Sequence, residues 1–212
     1  VYKHFIDSIA LIKKINFDGK KVIDVGTGAG FPGIPLAIVT DNAEFVLMDS
    51  LNKRIKFLNE IIEICDLKNV TTIHARAEEL GRDTEYRERF DYCVSRAVAN
   101  MSTLLEYCIP FVRVGGVFVS YKSGDVTEEI ELSKNAQKQL FCEIKDVFNI
   151  IMFSKHINNA DTDSCFSRTC SLYYQHFSMS FFNSITNSQN CFFLIWSVSN
   201  LIIDFHINQR CS

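Results

Sequence analysis

The stretch DVGTGAGFPGIPLA, residues 24–37, sets glycines at 26, 28 and 30, directly behind an apolar run that ends at Val25. Three alternate glycines between a strand and a helix make a turn whose backbone can approach a ligand without interference from a Cβ. In an open parallel sheet the loop after the first strand lies outside the carboxyl ends of the strands, where ligands collect. The reading of this turn therefore decides both the fold and the place of the site.

Working outward, short and nearly continuous apolar runs recur at 21–25, 45–48, 70–75, 90–95 and 116–122, with a sixth at 143–150. Runs of this kind are expected of strands buried on both faces. Helical spacing fills the gaps: Ile55, Leu58, Ile62 and Cys65 form one stripe behind the polar start Asn52-Lys53-Arg54. Asp125, with Glu128 three positions later, reads as a capping-box-like helix start. Strand–helix repeats of this length predict an α/β fold with a doubly wound, mostly parallel sheet joined by right-handed crossovers.

The chain has 212 residues, 47% of them hydrophobic, enough for one full-sized domain. A formal charge of −3 provides no global basic field, so contact with a nucleic acid needs a local patch. The eight cysteines form no CxxC pair. Cys65, Cys93 and Cys108 lie in apolar periodic segments and read as small core residues. With no secretory segment in view, a cytoplasmic location with reduced thiols is expected, and no metal site. The apolar run 191–205 is broken by Ser197, Ser199, Asn200 and Asp204, so no membrane span is expected. Residues 1–150 are expected to form the functional domain. Residues 151–212 read as an atypical tail without assigned function: they contain no glycine, no proline and six charged residues, a composition expected of out-of-frame translation and rare in a natural domain segment.

The spacing narrows what the turn binds. A dinucleotide fingerprint is GxGxxG, but Phe31 stands where its third glycine belongs, and no GK[ST] marks a phosphate loop. GxGxG preceded by Asp24 is instead the usual first motif of S-adenosylmethionine (SAM)-dependent methyltransferases. Asp49, at the tip of the second strand, can accept both hydroxyls of an adenosine ribose; alone it could equally be an acid at a helix start. Ala77 and Glu78 follow the third strand, where an amide and an acid can read an adenine edge, although most such acids are merely solvated. Arg96 ends the fourth strand, where a cation suits a carboxylate or phosphate; a structural ion pair is its plainer reading.

DVGTGAGFPGIPLA, LMDSLNKRIKFL, HARAEEL and FDYCVSRA, with KHFIDSI near the start, together closely resemble the bacterial 16S ribosomal RNA guanine-N7 methyltransferase family, also called glucose-inhibited division protein B. The resemblance runs in order from Val1 to about Val147. It implies a class I SAM-dependent methyltransferase fold of Rossmann-like type, SAM as cofactor, and methylation of N7 of guanine 527 in the 530 loop of 16S rRNA. The partner so implied is the small ribosomal subunit, and a monomer is expected. By the same resemblance Gly26, Phe31, Ala77, Glu78 and Arg96 fall on SAM-contact positions, and Asp49 matches the ribose acid of SAM enzymes at large; Gly28 and Gly30 are cofactor-binding candidates through the glycine motif itself. The family's helical region before the HFIDS segment has no counterpart here, and its last strand, which runs antiparallel between the fifth and sixth, finds no evident substitute in residues 151–212. A chain that binds SAM at best and does not modify rRNA is therefore the alternative expectation.

Guanine N7 carries a lone pair outside Watson–Crick pairing and needs no deprotonation before attack. Positioning alone can then supply roughly 7–11 kcal/mol of the barrier. No catalytic dyad is evident; His4 and His74 read as structural rather than as bases. RNA contact is expected from local charge, with Lys3, Lys13, Lys14, Lys20, Lys21, Lys53, Arg54 and Lys56 as candidates. A nicotinamide dehydrogenase would share the sheet and Asp49, but Phe31 argues against it.

Overall fold

Lys21–Val25 (β1) is buried from Val22 onward and carries the glycine turn at its carboxyl end. Around it a computed structural model of the chain describes residues 2–96, 98–155 and 193–207. Helix α1 (Tyr2–Ile9) leads into a 3-10 turn at Ala10–Lys13 and then β1. There follow α2 (Gly33–Val39), β2 (Glu44–Asp49), α3 (Asn52–Ile64), β3 (Val70–His74) and α4 (Ala77–Leu80). The second half supplies β4 (Phe90–Arg96), α5 (Met101–Cys108), β5 (Val112–Ser123), α6 (Thr127–Gln139), β6 (Cys142–Lys155) and β7 (Phe193–Ile207).

The seven strands form one sheet in the order β3-β2-β1-β4-β5-β7-β6. From β3 to β5 all neighbours are parallel, which is the doubly wound α/β arrangement that the alternating runs predict. Adjacent residues serve opposite faces. Ile23, Cys93 and Phe118 pack in one apolar cluster with Leu104, Leu105 and Phe111, whereas Val22, Val94 and Val119 join Leu11, Phe17, Leu36 and Leu58 in the other. Both faces being covered is why the strands read as unbroken apolar runs rather than as alternations.

Three expectations need correction. Cys65 is exposed, because α3 ends at Ile64 and Cys65 is its C-cap; Cys93 and Cys108 are buried as expected. The fifth strand starts earlier than expected, running through Gly115 and Gly116 with a register shift between Phe90 and Tyr92 on its partner. Most consequentially, the last strand is present. β7 runs antiparallel against β5, pairing Val117 with His206 through Ser123 with Asn200. It comes from the segment in which no substitute strand was legible. Asp125 does mark the start of α6, but its carboxylate accepts from the Thr127 N–H and hydroxyl (2.9 and 2.6 Å).

Chain contacts divide the molecule into two units, Val1–Ile150 with Ser199–Ser212, and Ile151–Val198. The first holds all the helices described and the parallel part of the sheet. Of the second, only the strand segments 151–155 and 193–198 are described, so the expectation for the remainder of the tail lies outside the described residues. Among the described residues no helix is long and apolar enough to cross a membrane.

Candidate functional site

The carboxyl ends of β1, β2, β3 and β4 come together at one edge of the sheet, since Val25 is in register with Met48, and Asp49 with His74. The glycine turn folds over this edge. Gly26 and Thr27 donate their N–H groups to the Met48 carbonyl (2.9 and 3.0 Å), which ties the turn to β2. At Gly28, φ is +63°, a conformation that costs a residue without Cβ little, and its N–H points at Asp49 Oδ2 (3.0 Å). The first two glycines of the turn, Gly26 and Gly28, and Asp49, apart in sequence, thus belong to one crevice.

Asp49 is 2% exposed. Its Oδ1 accepts from the Leu51 N–H (2.9 Å), and the Arg54 guanidinium reaches Oδ2 at 3.1 Å. A carboxylate offers about four lone-pair sites, so the half-exposed Arg54 can yield and leave room for two hydroxyls. Arg54 read from sequence as an RNA contact; the structure pairs it with Asp49 instead.

Beneath the turn, Asp24 is fully buried. Its Oδ2 accepts from the Thr27 hydroxyl (2.7 Å) and the Gly33 N–H (2.8 Å), so one side chain fixes both ends of the glycine turn. Its Oδ1 is buried with no hydrogen-bond partner. Burial pushes the Asp24 carboxyl up to about 7, against the lowering effect of those two bonds and of the Arg96 charge. The sequence showed Asp24 only as the start of the motif; that it lies under the turn needed the fold.

Arg96 stands at the end of β4 but turns toward α1. Its Nη1 donates to the His4 carbonyl (3.2 Å) and to Ser8 Oγ (3.3 Å), and its guanidinium lies 5.1 Å from the centre of the Phe31 ring. Phe31 in turn packs edge-on against Phe5 at 5.0 Å. The KHFIDSI segment therefore borders the glycine turn through Arg96 and Phe31, and Tyr121 adds a bond from its hydroxyl to the Ser8 carbonyl (2.8 Å). His74 Nε2 is 3.0 Å from the Ser50 carbonyl, and the His4 ring lies 5.9 Å from that of Phe31. Ala77 and Glu78 open α4 just past β3, at the same edge, with Ala77 buried and Glu78 exposed. The negative charge of Glu78 lies close enough to Tyr107 to raise that phenol.

Of the lysines expected to meet RNA, Lys21 pairs with Glu44 (3.5 Å) and Lys14 lies over Phe148. Lys53 and Lys56 enter no ion pair among the described residues. The side chain of Lys3 lies outside the described residues.

Solved structures similar to this chain include SAM-dependent methyltransferases. A SAM-dependent O-methyltransferase from Thermotoga maritima aligns with a TM-score of 0.63 at 14% identity, covering 97% of this chain and 66% of that one. TYW2 of M. jannaschii, solved in complex with AdoMet, aligns at 0.58 and 16% identity, covering 98% and 77%. At these identities the likeness concerns the fold, which is that of the SAM-dependent methyltransferases. Among curated proteins, the ribosomal RNA small subunit methyltransferase G of Acetivibrio thermocellus is 55% identical over 152 residues, covering 71% of this chain and 62% of its own length. That of Clostridium kluyveri is 51% identical over 151 residues, covering 71% and 64%. The chain thus spans somewhat under two thirds of these two relatives. The family model described as rRNA small subunit methyltransferase G (GidB) matches residues 1–158, and the chain belongs to that family.

Proposed function

We propose that the crevice between the glycine turn and Asp49 binds S-adenosylmethionine, and that the chain transfers the methyl group to N7 of guanine 527 in the 530 loop of 16S rRNA. It acts as a cytoplasmic monomer on the small ribosomal subunit. The observation that carries this reading is the buried Asp49 at the tip of β2, with the Gly28 N–H 3.0 Å from its Oδ2. An acid so placed meets a ribose, and the turn beside it admits a ligand backbone-close.

Two further features fit the cofactor. Asp24 Oδ1 is a buried carboxylate oxygen with no hydrogen-bond donor among the described residues, and SAM carries an ammonium group. Arg96, whose guanidinium lies 5.1 Å from the Phe31 ring centre, borders the glycine turn, and such a cation suits a carboxylate. Ala77 and Glu78 stand where an adenine edge would be read. When bound, the cofactor supplies an electrophilic methyl group. The residues named hold it in place, and no side chain is assigned as a general base because guanine N7 has no proton to lose.

The test is equilibrium binding of labelled SAM to the chain, in competition with NAD. Saturable binding that resists NAD is expected. Asp49→Ala should weaken it at least about tenfold, since hydrogen bonds to a charged acceptor contribute roughly 1.5–3 kcal/mol, while melting shows the variant folded. Incubation with 16S rRNA should then yield labelled N7-methylguanine. Competition by NAD, or equal binding by Asp49→Ala, overturns the site assignment; binding without methyl transfer restricts the chain to holding the cofactor.

A further inference from the structure

Helix α3 buries Ile55 and Leu58 and turns Asn52, Lys53, Lys56, Phe57 and Glu60 outward, where they line an open groove of about 380 Å³. A single exposed phenylalanine is ordinary on a protein surface. Here Phe57, 47% exposed, sits one helical turn from Lys53 and next to Lys56, neither of which is neutralised by an acid among the described residues. Glu60 closes the C-terminal end of the groove, so the positive charge is confined to the end nearer Asp49. The helix begins three residues after Asp49, which places the groove beside the crevice described above.

An exposed aromatic ring flanked by free lysines has the chemistry that binds an unpaired nucleotide: the ring stacks on the base and the cations meet the adjoining phosphates. We propose that this face of α3 is a platform for an unpaired nucleotide of the RNA substrate, with Phe57 under the base and Lys53 and Lys56 on its phosphates. The assignment rests on the reading of the substrate as RNA. It differs from it in naming a surface outside the cofactor crevice. A duplex, whose bases are stacked within, would use the lysines but not the ring.

The experiment compares binding of a labelled RNA hairpin with an unpaired loop, and of a fully paired RNA of equal length, to the full chain and to Phe57→Ala, Phe57→Trp and the double variant Lys53→Ala/Lys56→Ala. Melting temperatures verify the fold of each. Phe57→Ala should weaken loop binding roughly 5- to 150-fold and leave duplex binding unchanged, and Phe57→Trp should restore it. The lysine variant should lower the slope of log affinity against log salt by about 1.4, the share of two phosphates on a single strand. Equal loop binding by Phe57→Ala, absence of any RNA binding, or a Phe57-dependent dimer in sedimentation without loop preference overturns the platform. Cofactor binding is measured in parallel on the unaltered chain. If it fails while the Phe57 effect holds, the methyl-transfer reading falls and the platform stands; if it succeeds while Phe57→Ala behaves as wild type, the reverse follows.

Discussion

Asp24 concentrates the chemistry of the glycine turn in one carboxyl group. One oxygen holds the Thr27 hydroxyl and the Gly33 N–H, and the other is buried without a partner. Because its folded value lies near 7 and its ordinary value is 3.8, the folded protein binds a proton there that the unfolded chain has already lost. The sign follows: this proton favours the folded state fully below about pH 4, and that contribution declines as pH rises toward 7. A shift of this size corresponds to about 4 kcal/mol. Asp24→Asn is neutral throughout, so its stability relative to wild type should climb between pH 4 and 7 and level off above. Urea unfolding of both proteins at several pH values measures it; parallel profiles would contradict the assignment. The glycines and Asp49 were legible in the sequence because turn chemistry is local and a strand tip is marked by where its apolar run stops. The partners of Arg96 were not, since His4 and Ser8 lie 92 and 88 residues away and only the sheet brings them together.

At the scale of elements, the turn joins β1 to α2 while α3 packs against it. Gly30 has φ of +94°, and a Cβ there would lie 2.6 Å from Ile34 Cγ1 and 3.0 Å from Leu58 Cδ2. Gly19 has φ of +66° but open space around it. Substituting alanine at both positions separates the two costs. Gly19→Ala should lose about 1 kcal/mol from backbone strain alone. Gly30→Ala should lose more, about 2–4 kcal/mol, because Ile34 and Leu58 must also move. At roughly 2–4 °C per kcal/mol for a chain of this size, calorimetry should resolve the difference; equal Tm values for the two variants would show that the contact with α3 is not limiting. The strands of the parallel region were readable because double-sided burial leaves an apolar run. The stripe on α3 was readable as far as Ile62, which packs against the core, but Cys65 continued the spacing past the end of the helix, and spacing carries no signal of where a helix stops unless a cap residue is present.

At the scale of the whole molecule, the order β3-β2-β1-β4-β5-β7-β6 puts the last strand of the sequence between two earlier ones. Its partners on β5 are 77 to 89 residues away in sequence, from the Ser123–Asn200 pair to the Val117–His206 pair. No local pattern announces such a pairing. The glycines and prolines that usually punctuate strands are absent from residues 151–212, so the apolar run there had no visible ends. Yet β5 carries Phe118, Val119 and Tyr121 fully or nearly buried, and without β7 its backbone would present a free edge to other chains. A chain ending at residue 198 loses every residue paired with β5. It should therefore show fast amide exchange at 117–123, where the full chain is protected, and form concentration-dependent aggregates in sedimentation, while β1 and β2, paired on both sides, keep their protection. If the shortened chain stays monomeric with residues 117–123 as protected as before, β7 contributes nothing to closing the sheet. In that case the parallel strands and their helices form a self-sufficient unit, and the last strand is an addition to the fold rather than part of what holds it.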